Sequence, residues 1–311
     1  ATGGVIVGAV TVPVPTWNKT EEYDGSSWTE TGNYPTNLQN AQGSGIQTAA
    51  YVFGGSDGSS NLSAGNTYNG SSWTSGTALP TATWIGCGAG TAPTAILAGG
   101  ATPGSPTPSI STTLEYASSS WTAGGSLSTA RRYHGGFGTQ TSMTVYGGKT
   151  TPGPLLNSTE EYNGTAWTEN PSPSGDMGTG RDKLAGFGTQ TSAIGAGGDP
   201  NSTATEEYGG TSWTAGGALS TGRQYLGGVG ASNTSGVVFG GNTPPETAVT
   251  EEYNGSSWTA GGSLNTARGQ VMGAGIQTAA LAFGGYDSTG TLAVTESYDG
   301  SALTTSPVTL G

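Results

Sequence analysis

The sequence predicts an all-β fold built from tandem repeats, and three observations lead to this prediction. A tyrosine returns at intervals of 45 to 48 residues, at Tyr23, Tyr68, Tyr116, Tyr162, Tyr208, Tyr253 and Tyr298. A tryptophan follows each of the first six five residues later, at Trp28, Trp73, Trp121, Trp167, Trp213 and Trp258, and Leu303 stands there in the last copy. The chain has 58 glycines and only 9% charged residues, and glycine and β-branched threonine disfavour helices. Repeats of this length are typical of propellers and solenoids.

Each repeat predicts four short antiparallel strands, as the last complete unit illustrates. Residues 270–277 form a Gly-rich strand, and the apolar residues 279–283 form a second strand that ends at Gly284-Gly285. After a variable loop, residues 293–298 form the third strand, and Asp299-Gly300 is a two-residue hairpin turn of the type I′ kind. The fourth strand normally carries the tryptophan. Four such strands make one propeller blade.

A glycine pair ends the second strand of each unit, where positive φ angles or close backbone contacts are expected. The pairs are Gly54-Gly55, Gly99-Gly100, Gly147-Gly148, Gly197-Gly198, Gly240-Gly241 and Gly284-Gly285. Together with the Glu-x-Tyr strand and the tryptophan, this pattern resembles the kelch repeat over essentially the whole chain. The resemblance implies a β-propeller whose termini meet in one blade. It implies little about activity, because kelch-like propellers range from oxidases to adaptor modules.

The two ends of the chain predict how the propeller closes. The apolar residues 5–9 lie about 14 residues before Tyr23, where a second strand belongs, so the chain is expected to begin inside a blade. Residues 306–311 are then expected to supply the missing first strand. The sequence therefore predicts one domain, 1–311, with seven blades, the N- and C-termini closing one blade. Six blades plus a partial unit is the alternative.

Charge and composition exclude several classes of function. The formal net charge is −12 with eight basic residues, which disfavours nucleic acid and anionic membranes as partners. No apolar run is long enough for membrane insertion. The single Cys87 cannot form an internal disulfide and is interpreted as a small buried filler.

The sequence predicts no enzyme, no cofactor and no metal. One histidine, His134, cannot form a histidine metal cluster or the copper centre of two histidines and tyrosines that some kelch-like propellers hold. Four units carry a glutamate pair, and this repetition favours a structural role over acid–base catalysis; the pairs are Glu21-Glu22, Glu160-Glu161, Glu206-Glu207 and Glu251-Glu252. Calcium binding by Asp57, Asp199 or Asp287 stays open as an alternative, although none lies in a ligand-dense motif.

The arginines give the strongest indication of a binding site. Four of the five lie at one equivalent position, just before the Gly-rich strand, at Arg131, Arg181, Arg223 and Arg268; Leu38 and Thr83 stand there in two other units. In a closed propeller these positions surround the channel mouth, so an anionic or polar ligand is expected there. Arg132, Tyr133, His134, Tyr225 and Trp84 lie one to three places further on and complete the candidate ligand-binding set.

Structural roles are open alternatives for the same residues. The arginines could bridge neighbouring blades by pairing with glutamates such as Glu22, Glu115, Glu161, Glu207 or Glu252. The repeated tryptophans are interpreted as packing between blades, and His134 could be an ordinary polar residue.

Variable, Pro-rich loops (101–111, 149–157 and 242–248) are expected on the same face as the arginines, and binding usually lies in such loops. The leading hypothesis is a non-enzymatic binding or adhesion module that contacts a glycan or host receptor. The chain resembles repeat proteins of bacteriophages and environmental bacteria, which implies a place on a virion or extracellular surface. A structural or assembly protein of a virion or fibre, with other subunits as partners, is the second hypothesis. A polysaccharide-active enzyme is the third.

Overall fold

The computed structural model describes residues 4–7, 18–24, 28–91, 94–104, 107–117, 119–292, 294–300, 303–306 and 308–309. These residues form an all-β propeller with six blades. Each blade is an antiparallel sheet of four strands, in chain order from the innermost to the outermost. The innermost strands of successive blades are in contact, so the blades follow one another in the order of the sequence.

The strands are as follows. The first three are β1 (Gly4–Val7), β2 (Thr20–Tyr23) and β3 (Trp28–Glu30). Blade I contains β4 (Gln42–Ile46), β5 (Ala49–Phe53), β6 (Gly65–Tyr68) and β7 (Trp73–Ser75). Blade II contains β8 (Cys87–Thr91), β9 (Thr94–Ala98), β10 (Thr113–Ala117) and β11 (Ser120–Ala123). Blade III contains β12 (Gly135–Thr139), β13 (Ser142–Tyr146), β14 (Thr159–Tyr162) and β15 (Trp167–Glu169). Blade IV contains β16 (Ala185–Thr189), β17 (Ser192–Ala196), β18 (Thr205–Tyr208) and β19 (Trp213–Ala215).

Blade V contains β20 (Gly227–Ser232), β21 (Ser235–Phe239), β22 (Thr250–Tyr253) and β23 (Trp258–Ala260). Blade VI contains β24 (Met272–Ile276), β25 (Ala279–Phe283), β28 (Thr295–Tyr298) and β29 (Leu303–Ser306). A small hairpin of β26 (Tyr286–Asp287) and β27 (Gly290–Thr291) lies in its loop, and the last strand is β30 (Val308–Thr309).

The predicted count of seven blades is wrong, because the N-terminal unit does not form a complete blade. Its strands β1, β2 and β3 form a sheet with β30, which we call the terminal sheet. β30 pairs in parallel with the outer strand β3, through Trp28↔Val308 and Thr29↔Thr309. In the described part of the chain, nothing occupies the innermost position beside β1. The C-terminus therefore does not supply the first strand, because two residues pair with the opposite edge instead.

In the turns between the third and fourth strands, the two central residues lie one position later than predicted. Tyr253 pairs with Trp258, and the amide of Asn254 donates to the carbonyl of Ser257. The central residues are thus Gly255 and Ser256, and only Gly255 has a positive φ, of 92°. This is the type II′ pattern rather than type I′. The Asn254 side chain accepts the amides of Ser256 and Ser257, which explains why asparagine recurs before this glycine.

The core lies between neighbouring blades. The second strand of each blade is apolar and almost fully buried, whereas the first strand is rich in glycine, as β13 and β12 of blade III illustrate. Between blades IV and V, for example, Phe187 and Ile194 pack against Val238 and Tyr253. The repeated tryptophans join these clusters, so their interpretation as packing residues is confirmed for Trp121, Trp167, Trp213 and Trp258.

In blades I, III, IV, V and VI, a hydrogen bond from the third strand connects the blade to the preceding unit. The tyrosine hydroxyl donates to the second glutamate of the preceding unit, as from Tyr208 to Glu161 at 2.7 Å. The same bond joins Tyr68 to Glu22, Tyr162 to Glu115, Tyr253 to Glu207 and Tyr298 to Glu252. These five bonds are the physical reason why the second glutamate and the tyrosine recur in register.

Candidate binding site at the channel mouth

The four repeated arginines are buried inside the blades. Arg131, Arg181, Arg223 and Arg268 are each 0% exposed. Their guanidinium groups form ion pairs with Glu160, Glu206, Glu251 and Glu296, at 2.8, 2.7, 2.8 and 3.1 Å. This burial corrects the hypothesis that the arginines form a ligand-contacting ring, because a fully buried side chain has no surface to offer a ligand.

The structural alternative for the arginines also needs correction. Each arginine pairs with the first glutamate of the motif on its own blade, so the pairs do not bridge blades. For Arg223, the guanidinium also donates to the carbonyl of Val249, and the second carboxylate oxygen of Glu251 accepts the amide of Ser220. Burial lowers the pKa of all four arginines, and the facing glutamate opposes this shift. The buried carboxylate thus has a charged and a neutral donor.

A ring of left-handed residues surrounds the channel mouth, two positions before each innermost strand. We call it the mouth ring. It consists of Asn40, Ile85, Tyr133, Lys183, Tyr225 and Gln270, with φ between 49° and 56°. Backbone hydrogen bonds connect its members from blade to blade. The amide of Tyr133 donates to Ile85, Lys183 to Tyr133, Tyr225 to Lys183 and Gln270 to Tyr225, at 3.3 to 2.8 Å. The backbone conformation is therefore fixed by the architecture, while the side chain varies from blade to blade, with five residue types at six positions.

The residue types in the mouth ring do not suit its conformation. Left-handed backbone favours glycine and asparagine, and it is costly for β-branched residues such as Ile85. Only Asn40 is a favoured type. Elsewhere in the described chain, most positions with positive φ are filled by glycine, and Ser119 and Asn201 are the exceptions. Strained backbone of this kind concentrates at functional sites. The backbone conformation alone therefore does not explain the choice of residues in the mouth ring.

Two tyrosines of the mouth ring lie close to each other and to three cationic side chains. The rings of Tyr133 and Tyr225 are 6.4 Å apart and nearly perpendicular. Lys149 and the Arg132 guanidinium lie 5.3 and 5.7 Å from the Tyr133 ring, and Lys183 lies 5.0 Å from the Tyr225 ring. We call these five residues the tyrosine–cation cluster. Burial, first of all, raises the pKa of Tyr225 well above its usual range, so its hydroxyl stays protonated and can donate. Such a cluster offers aromatic faces and positive charge together.

Trp84 lies at a different place on the same face. It lines a cleft of about 350 Å³ between the loops of blades I and II. The other lining residues are Ser59, Ser60, Asn61, Pro103, Gly104 and Thr107. The indole nitrogen is buried and has no partner among the described residues. The structure therefore brings Arg132, Tyr133 and Tyr225 together, and places Trp84 in a separate cleft.

His134 is a packing residue, which corrects its place in the candidate set. It is 9% exposed, and it fills the space between the glycine pairs of blades II and III, against Gly99 and Gly148. Leu184 and Leu226 occupy the equivalent position in blades IV and V and contact glycine pairs in the same way. Burial, and secondarily Arg131, lowers the pKa of His134 to about 3, so the imidazole is neutral in the folded protein.

We expect His134→Leu to stabilise the protein in acid. The unfolded state protonates His134 near pH 6.5 and the folded state only near pH 3, so the wild type loses stability as pH falls between these values. At about pH 4.5 the variant should therefore gain about 3 kcal/mol over the wild type, and at about pH 8 almost nothing. Urea unfolding at both pH values measures this. An equal gain at both would mean that packing, not protonation, is responsible.

The remaining acidic candidates have structural partners. The carboxylate of Asp57 accepts the amides of Ser59 and Ser60, and that of Asp287 accepts the amide of Thr289. Asp199 pairs with Lys183 at 3.5 Å. Within the described ranges, no group of three His, Cys, Asp or Glu residues is placed to hold a metal ion.

No helix in the part of the chain that the structure describes is long and apolar enough to span a membrane. Cys87 packs against the core between blades II and III.

Glu21 is a first glutamate for which the described residues provide no arginine. It is 5% exposed, and burial together with Glu30 raises its pKa to about 7, against a lowering by Lys19. The raised pKa means that Glu21 contributes stability below pH 4.5 that is lost as pH rises through 7. We therefore expect Glu21→Gln to stabilise the protein at about pH 8, by up to about 3 kcal/mol, and to have no effect at about pH 4.

Glu160→Gln is the matched control for Glu21→Gln, because Glu160 occupies the same position and is paired with Arg131. It should destabilise the protein at about pH 8. Urea denaturation of both variants decides the matter, and a destabilising Glu21→Gln at about pH 8 would show that Glu21 has a cationic partner after all.

Sequence reasoning missed Lys149, Lys183 and Gln270. A signal was present, because Lys183 and Gln270 lie two positions after a repeated arginine, as Tyr133 and Tyr225 do. Lys149 follows a glycine pair and forms an isolated bridge with Arg132. Comparing these two positions across the blades would have shown that they vary while their flanking residues repeat.

Comparisons with known proteins define the fold alone. No family profile matches the chain, and no curated protein matches it. Among solved structures, the chain is similar to YjhT, a kelch-type propeller, with a TM-score of 0.69 and 15% sequence identity. The match covers 88% of this chain and 98% of that one. At this level of identity, the likeness shows that this chain folds as a β-propeller.

Proposed function

We propose that this protein is a non-enzymatic binding module with kelch-type repeats, and that it binds a glycan or a glycan-bearing receptor at the channel mouth. The mouth ring is the observation that supports the proposal most directly. Its residues have nearly the same left-handed φ in six blades, yet its side chains include two tyrosines, a lysine and an isoleucine. A repeat that only needed to fold would place glycine or asparagine there.

The chemistry of the mouth suits sugars. Sugar rings pack their C–H faces on aromatic side chains, and their hydroxyls bond to amides and charged groups. Tyr133 and Tyr225 provide aromatic surface. Lys183 is held beside them by the amide oxygen of Gln224, at 3.1 Å. The low lysine content and the Gly- and Thr-rich composition support a place on a virion, a phage tail fibre or another extracellular surface.

A glycan array followed by calorimetry tests the proposal. We expect Tyr133→Ala and Tyr225→Ala each to weaken binding of the best array ligand about tenfold. Ile276→Ala is the matched control, because it also removes a large exposed side chain (50% exposed) but at the far end of β24. Unchanged affinity in both tyrosine variants, or the same loss in the control, would refute binding at the mouth.

An assembly role is the second candidate function. Ile46, Met272 and Ile276 are large apolar side chains that are 66%, 61% and 50% exposed on the innermost strands of blades I and VI. Burying these apolar side chains against another protein subunit would be favourable, which is the basis of this second candidate. If the array detects no ligand, and replacing all three by serine prevents self-association in sedimentation, the assembly role is the better explanation.

A further inference from the structure

We infer that the tyrosine–cation cluster selects an acidic saccharide, one whose sugar ring carries an anionic group, with Arg132 as the residue that receives the anion. This inference rests on the proposed function and specifies its ligand class. The distribution of basic residues over the chain leads to it.

The eight basic residues fall into three groups. Four arginines are buried in ion pairs within the blades, and Lys19 pairs with Glu30 in the terminal sheet. The other three, Arg132, Lys149 and Lys183, all belong to the tyrosine–cation cluster. In a protein with a net charge of −12, every cation that does not stabilise a sheet is thus brought to one part of the channel mouth. Such focusing attracts anionic ligands to that point.

The cations of the cluster are not equally neutralised. Lys149 pairs with the buried Asp182 at 3.0 Å, and Lys183 pairs with Asp199 at 3.5 Å. Arg132 has no carboxylate partner among the described residues, and its Nε atom is buried without a hydrogen-bond partner. The cluster therefore carries one uncompensated positive charge. A carboxylate or a sulfate group of a ligand would neutralise this charge best, because the guanidinium group of Arg132 can donate two parallel hydrogen bonds to either of them.

The positions of these cations also indicate a ligand rather than the fold. The residues equivalent to Arg132 are Gln39, Trp84, Asp182, Gln224 and Gly269, and those equivalent to Lys149 are Ser56, Ala101, Asp199, Asn242 and Tyr286. The backbone bridge between the two positions forms whatever the side chain is. Blade III does not need an arginine and a lysine there to fold. The tyrosine beside them provides the face on which a sugar ring would lie.

Calorimetry with a matched pair of probes tests the inference. The probes are tetragalacturonate and its fully methyl-esterified form, in which a neutral methyl ester replaces each carboxylate. We expect the ester to bind at least about tenfold more weakly than the acid, and the affinity for the acid to fall between about 20 and about 200 mM NaCl. A sulfated dextran oligosaccharide, measured beside its unsulfated form, shows whether sulfate replaces carboxylate.

Arg132→Gln should weaken binding of the acidic probe about tenfold and leave the affinity for the ester unchanged. Lys19→Gln is the matched control, because it removes one positive charge from the terminal sheet, and it should have no effect. Equal affinity for acid and ester, no binding of any acidic probe, or an equal loss in the Lys19→Gln control would each overturn the inference. If a neutral glycan still binds in a Tyr133-dependent manner, only the acidic preference fails and the proposed function stands.

Discussion

Arg223→Thr is expected to lower the free energy of unfolding by about 3–5 kcal/mol, because it leaves the carboxylate of Glu251 buried without its charged partner. Arg223 is 0% exposed and Glu251 is 2% exposed, so water cannot replace the lost interaction. The carbonyl of Val249 also loses a donor. Guanidinium denaturation, followed by tryptophan fluorescence, measures the loss.

Two blades of the same protein show how this loss can be reversed. Blade II has Thr83 at the arginine position and Leu114 at the glutamate position, and blade I has Leu38 and Asn66. The residue whose backbone amide donates to the glutamate carboxylate changes together with the arginine and the glutamate. Where the carboxylate of Glu251 accepts the amide of Ser220, blades I and II have Pro35 and Pro80, which carry no amide hydrogen to satisfy. Arginine, glutamate and amide donor are thus present or absent as a set.

The triple variant Arg223→Thr, Ser220→Pro, Glu251→Leu should therefore recover stability to within about 2 kcal/mol of the wild type. It copies blade II, whose neighbouring Leu79 corresponds to Leu219. Replacing a buried ion pair as a unit by packed residues is often neutral, whereas removing one partner is costly. The double variant without Ser220→Pro should remain less stable, since the Ser220 amide then lacks an acceptor. If the triple variant is as unstable as Arg223→Thr, the three residues do not act as a set.

The repeat made the strands, the glycine pairs and the packing tryptophans predictable, because these residues recur wherever the backbone needs them. The partners of the glutamates could not be predicted in this way. Adjacent residues of a strand point to opposite faces, and a single sequence does not say which face meets the arginine. The prediction therefore paired the arginines with residues such as Glu161, whereas Glu160 pairs with Arg131 and Glu161 accepts a tyrosine hydroxyl from the next blade.

The candidate binding residues were predicted in the segment that precedes each innermost strand, but the four repeated arginines among them are buried. The spacing locates a residue along the chain to within one or two positions, but a change of one position separates the buried Arg131 from the half-buried Arg132. The blade count failed for a related reason. A short terminal strand such as β30 can pair with either edge of a sheet, and two residues carry too little pattern to choose between them.

Trp213→Ala is the second change with a large expected effect, a loss of about 3–5 kcal/mol in the free energy of unfolding. Trp213 is 8% exposed between blades III and IV, and its ring lies 4.9 Å from those of Tyr146 and Tyr208. Its indole nitrogen donates to the hydroxyl of Thr159 in the preceding blade at 2.8 Å. The change removes both the packing and the hydrogen bond, and chemical denaturation measures the sum.

The hydrogen bond can be separated from the packing by two threonines at one position of the repeat. Thr159 accepts the indole of Trp213, whereas Thr250 in blade V faces the unit in which leucine replaces tryptophan, and its hydroxyl is buried without a described partner. We expect Thr159→Val to cost about 1–2 kcal/mol and Thr250→Val to be neutral or stabilising. Equal losses would show that the hydroxyl acts within its own blade. Unequal losses would establish that the tryptophan's hydrogen bond, and not only its bulk, joins one blade to the next.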